Sequence, residues 1–177
     1  MFANVHRIVE RPPLSEVTPR RVLLDKANPD VFKAQLAVAK AVRTATGTAG
    51  MDRRFVELLN VRVSQINGCA YCLDVHSTAA LEAGESAQRL AVLPAWSETS
   101  LFSNKERAAL TLVESVTRLP GSVDQDRDYA AASSVLTEVE VAAVSWVAIA
   151  MNAFNRISIV SRHQVRPHSD TTSPKGK

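Results

Sequence analysis

Apolar positions recur along this chain at helical spacing, and punctuating residues cut the pattern into segments. No stretch alternates apolar and polar residues over a strand's length, so the pattern predicts an all-α fold. Asn28, Pro29 and Asp30 read as a helix start: a cap, a proline at the first helical position and an acid in the first turn. That helix is expected to run to about Thr46. Asp52 can cap a second helix, whose dense apolar positions from Phe55 to Val63 suit a buried element. Asn67 and Gly68 break it, and a third helix begins near Cys69 and stops at Gly84. A short helix or turn fits residues 87–94. Ser103 with Glu106 is a capping box, opening a helix that ends before Leu119, Pro120 and Gly121. A further helix is expected over Gln125–Val135. Thr137 with Glu140 forms a second capping box, from which the last helix runs to about Arg162.

That last helix is apolar nearly all round, from Val141 through Trp146 and Met151 to Val160. Such a helix is central in its domain or buried between subunits. A homo-oligomer is therefore expected. The pattern gives one bundle of about six to seven helices over residues 28–163. It is flanked by an extended arm at 1–27 and a disordered basic tail at 164–177.

Composition agrees with this picture. The 177 residues suit one domain, and a domain of this size can bury a core without staples. Alanine occurs 25 times and glycine six, a balance that favours helices. The net charge of +3 lies in residues 162–177, where four basic residues face one acid, so the basic character belongs to the tail. It implies no nucleic-acid-binding face. The start of the chain lacks a sustained apolar stretch and does not read as a signal peptide. The most apolar run, Val141–Met151, has eleven residues against the ~18–20 of a membrane span. The expectation is a cytoplasmic protein with no membrane partner.

The two cysteines change the picture most. Cys69 and Cys72 could close only a tiny loop, so their use is chemical instead of structural. On the third helix Cys69, Cys72 and His76 follow at i, i+3 and i+7, which puts all three on one face. The turn at Asn67 and Gly68 sets Cys69 at the helix start, where the free N–H groups and the helix dipole favour a thiolate. His76 is placed one turn from Cys72 to take its proton. Glu57 lies on the preceding helix, and the chain reversal can return it to His76, completing a proton path. Thiol redox chemistry uses such a set. A thiolate attacks a peroxide oxygen to give a sulfenic acid, and a second thiol condenses with it to a disulfide. An external dithiol then reduces the pair.

Other readings stay open. A Cys-x-x-Cys pair alone is weak evidence, and the βαβ context of a thioredoxin is missing. Leu73 stands where covalent haem attachment needs a histidine. A zinc site could use Cys69, Cys72, His76 and Glu57, but structural zinc sites usually draw two pairs from separate segments. No metal or cofactor is assigned. Two buried cysteines in a non-catalytic oligomeric module is the plainest reading. Trp146, Met151 and Phe154 read as core or interface, and His6, His163 and His168 receive no role.

The ordered set of Glu57, Cys69, Cys72 and His76 resembles the alkylhydroperoxidase D-like branch of the carboxymuconolactone decarboxylase superfamily. The segment RVSQINGCAYCLDVHSTAALEAGE (62–85) is similar to that branch, and so are FSNKERAAL (102–110) and MNAFNRISIVSR (151–162). The resemblance covers roughly residues 30–162. It implies an all-helical bundle assembled as a trimer or hexamer. It implies that Cys72 becomes the sulfenic acid, that Cys69 is the more exposed resolving thiol and proton donor, and that His76 and Glu57 form the relay. The substrate is then a hydroperoxide and the reductant a lipoyl group or similar dithiol. The true decarboxylases of the superfamily act on a lactone acid and lack the cysteine pair, which counts against that activity here.

Overall fold

The computed structural model describes residues 20–167. Among them run eight α-helices and one 3₁₀ helix, with no strand. The helices are α1 (Leu24–Ala27), α2 (Pro29–Thr48), α3 (Arg53–Asn67), α4 (Ala70–Glu82), α5 (Ala87–Val92), α6 (Asn104–Arg118), α7 (Ser122–Ser133) and α8 (Glu138–Ser161). The 3₁₀ helix, Leu93–Glu98, follows α5 directly. The all-α class is as expected, and one helix exceeds the expected count.

The extra helix is α1, which lies inside the arm expected to be extended. Its first N–H, that of Leu24, donates to Ser161 Oγ at 3.0 Å, and Asp25 Oδ1 lies 3.3 Å from His163 Nε2. These partners come from the far end of the chain, so local pattern could not announce the turn. Residues 1–19 and 168–177, most of the expected arm and tail, lie outside the described residues. His6 and His168 fall there too.

The other helices start where the sequence pattern put them, although Asn28, expected as the cap of α2, makes no side-chain cap bond and Pro29 alone marks that start. Asp52 Oδ1 accepts the Phe55 N–H at 2.8 Å, and both capping boxes form, Ser103 with Glu106 and Thr137 with Glu140. The exception is α7, which starts at Ser122 instead of Gln125. No side chain caps it, so its start carries no sequence signal.

Helix α3 is the hub, lying against α4, α6 and α8. Leu58, Leu59, Val61 and Val63 are buried there with Leu110 and Val113 of α6 and Val144 and Val147 of α8. Arg62 is also buried, where it pairs with Glu114 at 2.7 Å, and Trp96 Nε1 donates to the same carboxylate. A buried guanidinium is tolerable only with such a partner.

Helix α8 has two characters. Val141, Val144, Val147, Ala148 and Met151 are buried, whereas Val139, Trp146, Ile149 and Val160 are exposed. Its 24 residues, with a mean hydropathy of 1.3 over the most apolar window, are long and apolar enough to cross a membrane. The eleven-residue run therefore understated it. In this fold α8 instead packs on α2, α3 and α6.

A polar layer joins α3 to α8 beneath the start of α4. Asn155 is fully buried; its amide donates to Ser64 Oγ at 3.1 Å, and its Oδ1 accepts from Asn67 at 2.8 Å. Asn67 also donates to Asn152 Oδ1 at 2.9 Å, and Asn152 donates to Thr117. Among the described residues no buried side-chain polar atom lacks a partner. Asn155→Leu removes partners from Asn67 and Ser64 at once. It is expected to destabilise the fold by about 2–3 kcal/mol, read as a lower denaturant midpoint with an unchanged slope.

Candidate active site

The site begins where α3 ends. Gly68 adopts φ +67°, the left-handed conformation that glycine enters without penalty. The next N–H, that of Cys69, returns to the Ser64 carbonyl at 3.1 Å, and Asn67 is anchored to α8 as described. This elbow reverses the chain and lays α4 against α3.

Cys69 is the cap of α4, one position before its first helical residue. Its sulfur accepts the backbone N–H of Cys72 at 3.3 Å. The positive end of the helix thus favours charge on the Cys69 sulfur. The two sulfurs are joined in a disulfide, with Cα atoms 5.3 Å apart. Cys69 is 1% exposed and Cys72 3%. The expectation that Cys69 is the more exposed thiol is therefore corrected: both are buried. Cys69, the cap of α4, belongs to the buried core cluster together with residues of α3, α6 and α8.

His76 lies one turn beyond Cys72 on α4, and Glu57 is one turn into α3. The antiparallel pairing of the two helices brings Glu57 Oε2 to 2.6 Å from His76 Nδ1. Asn60, one turn on from Glu57, donates to the same oxygen at 3.2 Å. Burial pushes the Glu57 carboxyl up. The hydrogen bond and charge of His76, the Asn60 amide and the Arg53 guanidinium outweigh that, so it lies below its ordinary value of 4.5. An ionised carboxylate can only accept, which assigns the Nδ1 proton to the imidazole and leaves Nε2 for proton transfer.

Glu57 and His76 open onto a cavity of about 530 Å³ between α2, α3 and α8. Its walls include Val42, Val56, Val147, Met151 and Phe154, with Arg43, Arg53 and Asn60 as further polar groups. Neither cysteine lines it. Met151 and Phe154, read as core from sequence, serve both core and cavity, while Trp146 is half exposed. Among the described residues no group of three or more His, Cys, Asp or Glu side chains is placed to hold a metal ion.

Several supporting residues escaped the sequence reading. Asn60 had a usable signal, because it lies at i+3 from Glu57 on one helix face. Arg43, Asn152 and Asn155 had none, since their relation to the site is entirely tertiary. His163, given no role, meets the ring of Tyr71 edge-on, with centroids 5.2 Å apart. Tyr71 is one of the two residues between the cysteines, so this contact buttresses the pair's own loop.

Three carboxylates share one electrostatic pattern. Burial raises Glu57, Glu106 and Glu114, but their partners, led by His76, Arg89 and Trp96 with Arg62, hold all three below 4.5. A carboxyl depressed in the folded state stabilises the fold above its unfolded pKa and loses that contribution as pH falls through the folded value. Thermal stability is therefore expected to be flat near neutrality and to drop below about pH 4.5, which a melting series against pH measures.

Residues 29–115 match the carboxymuconolactone decarboxylase family. The uncharacterized protein YdfG of Bacillus subtilis is 33% identical over 140 residues, spanning 79% of this chain and 92% of that protein. An alkyl hydroperoxide reductase AhpD of Coxiella burnetii is 35% identical over 63 residues, 32% of this chain and 36% of its own length. A crystal structure from Agrobacterium tumefaciens shares the fold, with a TM-score of 0.76 at 29% identity over 85% of this chain and 100% of that one. That protein, of unknown function, has been proposed as an antioxidant defence protein AhpD. With the Glu57, Cys69, Cys72 and His76 set in place on this bundle, the chain belongs to the carboxymuconolactone decarboxylase family, in its alkylhydroperoxidase D-like branch.

Proposed function

We propose that the protein is a thiol-dependent peroxidase that reduces hydroperoxides through Cys72 and Cys69. The observation that carries this is the 2.6 Å Glu57–His76 contact, made one turn from a cysteine already bonded to its neighbour. In the reduced enzyme His76 takes the Cys72 proton, and the thiolate attacks the terminal peroxide oxygen. The O–O bond breaks, Cys72 becomes a sulfenic acid, and the alkoxide leaves as an alcohol with the proton from His76. The Cys69 thiolate, favoured by the start of α4, attacks the sulfenic sulfur. The hydroxyl takes up the proton that the Cys69 thiol released and leaves as water, and the disulfide forms. A dithiol such as a lipoyl group returns both cysteines to thiols and is itself oxidised to a disulfide. Overall, one hydroperoxide and one dithiol give one alcohol, one water and one disulfide.

The exposed apolar residues of α8, and an α2 with Thr46 as its one buried residue, favour assembly with further copies of this chain. A trimer or hexamer is the assembly we propose, working in a reducing cytoplasm where the pair can cycle.

The test is stoichiometric. One equivalent of cumene hydroperoxide added to reduced protein is expected to yield one equivalent of alcohol and the Cys69–Cys72 disulfide. In Cys69→Ser, a sulfenic acid at Cys72 should become trappable by a dione reagent. Trapping at no cysteine, or loss of peroxide without alcohol, defeats the assignment. A second reading is a lyase acting on a carboxylated lactone with His76 as base. The cavity favours it, because that space touches the Glu57–His76 pair and not the sulfurs. It requires turnover that survives removal of both cysteines.

A further inference from the structure

The cavity beside Glu57 and His76 carries a charge that the proton relay leaves unused. Its buried floor is apolar, with Val147 at 2% exposure and Met151 at 4%, continued by Val42, Val56 and Phe154. Its polar groups are unequally matched. Glu57 is taken by His76 and Asn60, and Arg53 donates to Glu82 at 3.0 Å outside the cavity. Arg43 also lines the cavity, from the last turns of α2, and its guanidinium has no hydrogen-bond or ion-pair partner among the described residues. Thr46 Oγ1, beside it, is spent on the Arg43 carbonyl at 3.0 Å. Among the described residues Arg43, itself exposed, is thus the cation of this lining left without a partner, at the solvent side of a mainly apolar space. The volume, about 530 Å³, falls within the roughly 300–1,000 Å³ usual for small-molecule sites.

We infer that this cavity selects amphipathic carboxylates, with Arg43 binding the carboxylate and the apolar floor holding a hydrocarbon body. A guanidinium suits this role because its planar fork matches both carboxylate oxygens. The hydrocarbon gains by leaving water for Val42, Val56, Met151 and Phe154. An uncharged alkane derivative would have the floor without the anchor. The inference deepens the peroxidase reading and rests on it in one respect: the hydroperoxide end of a carboxylated chain held here must then reach past His76 to Cys72, which lies one turn away on α4 and does not line the cavity.

Binding can be measured without turnover, on the full-length oxidised protein by calorimetry, with octanoate and 1-octanol as probes. Wild type is expected to bind octanoate about tenfold or more tightly than octanol, the scale of one charge-assisted hydrogen-bonded contact. Arg43→Gln should erase that preference and leave octanol affinity unchanged, and Arg43→Lys should restore part of it. Equal affinities in wild type overturn the inference. So does a loss in Arg43→Gln that is the same for both probes, or a change in assembly mass with the preference intact. Octanoate preference in a protein that consumes no hydroperoxide keeps the binding inference and removes the peroxidase reading. Conversely, peroxidase turnover with no octanoate preference removes the inference alone.

Discussion

Cys72→Ser is expected to lower hydroperoxide turnover with a dithiol reductant by at least about a thousandfold, as removal of a nucleophile does. The reason is the ionisation of the attacking atom. A thiol can reach the thiolate near neutral pH with help from His76, whereas a serine hydroxyl cannot, and it is a poor nucleophile toward peroxide oxygen. The substitution is close to isosteric at a position 3% exposed, so the helix should remain folded. A circular-dichroism melt provides that control. Turnover at even a tenth of the wild-type rate, in a folded variant, would exclude Cys72 as the nucleophile. Cys69→Ser should also stop cycling, yet for another reason: the first oxidation proceeds and the sulfenic acid waits unresolved.

Glu57→Gln is expected to cost about a hundredfold at pH 7, the lower range of general acid–base effects. Gln cannot hold the imidazole by charge, and its amide can present an N–H to the nitrogen that should carry the proton. The pH profile distinguishes this from simple damage. In wild type Glu57 lies below its ordinary value of 4.5 and remains ionised across the working range, so its own titration leaves no mark near neutrality. Without it, the thiolate must form by its own acidity, near about pH 8.5 for an ordinary cysteine. The loss should therefore shrink as pH rises from 6.5 toward 9. A loss of equal size at every pH would make Glu57 a structural residue only. Measuring the rate of alkylation at Cys72 in the reduced protein over the same range tests the same point without turnover.

The acid–base pair itself was legible in the linear order. Eleven residues between Glu57 and Cys69, with Asn67 and Gly68 breaking the helix, imply two antiparallel helices, and that places Glu57 opposite His76. The capping boxes were equally readable, because Ser103 with Glu106 and Thr137 with Glu140 act within one turn. The α7 start was not, since Gly121 caps it with no side chain. The burial of Cys69 was also hidden. Spacing puts its sulfur at the helix start but does not say whether that end faces water or α3.

Short-range physics thus determined the helices, their caps, the elbow at Gly68 and the shared face of Cys72 and His76. Each follows from backbone geometry over a few residues. Tertiary packing alone decided the docking of α1 through Ser161 and His163, the Asn67–Asn155–Ser64 layer, the depth of both sulfurs and the cavity with Arg43 beside it. Those features join groups up to 138 positions apart. Their distances depend on how whole helices cross, which no local pattern encodes.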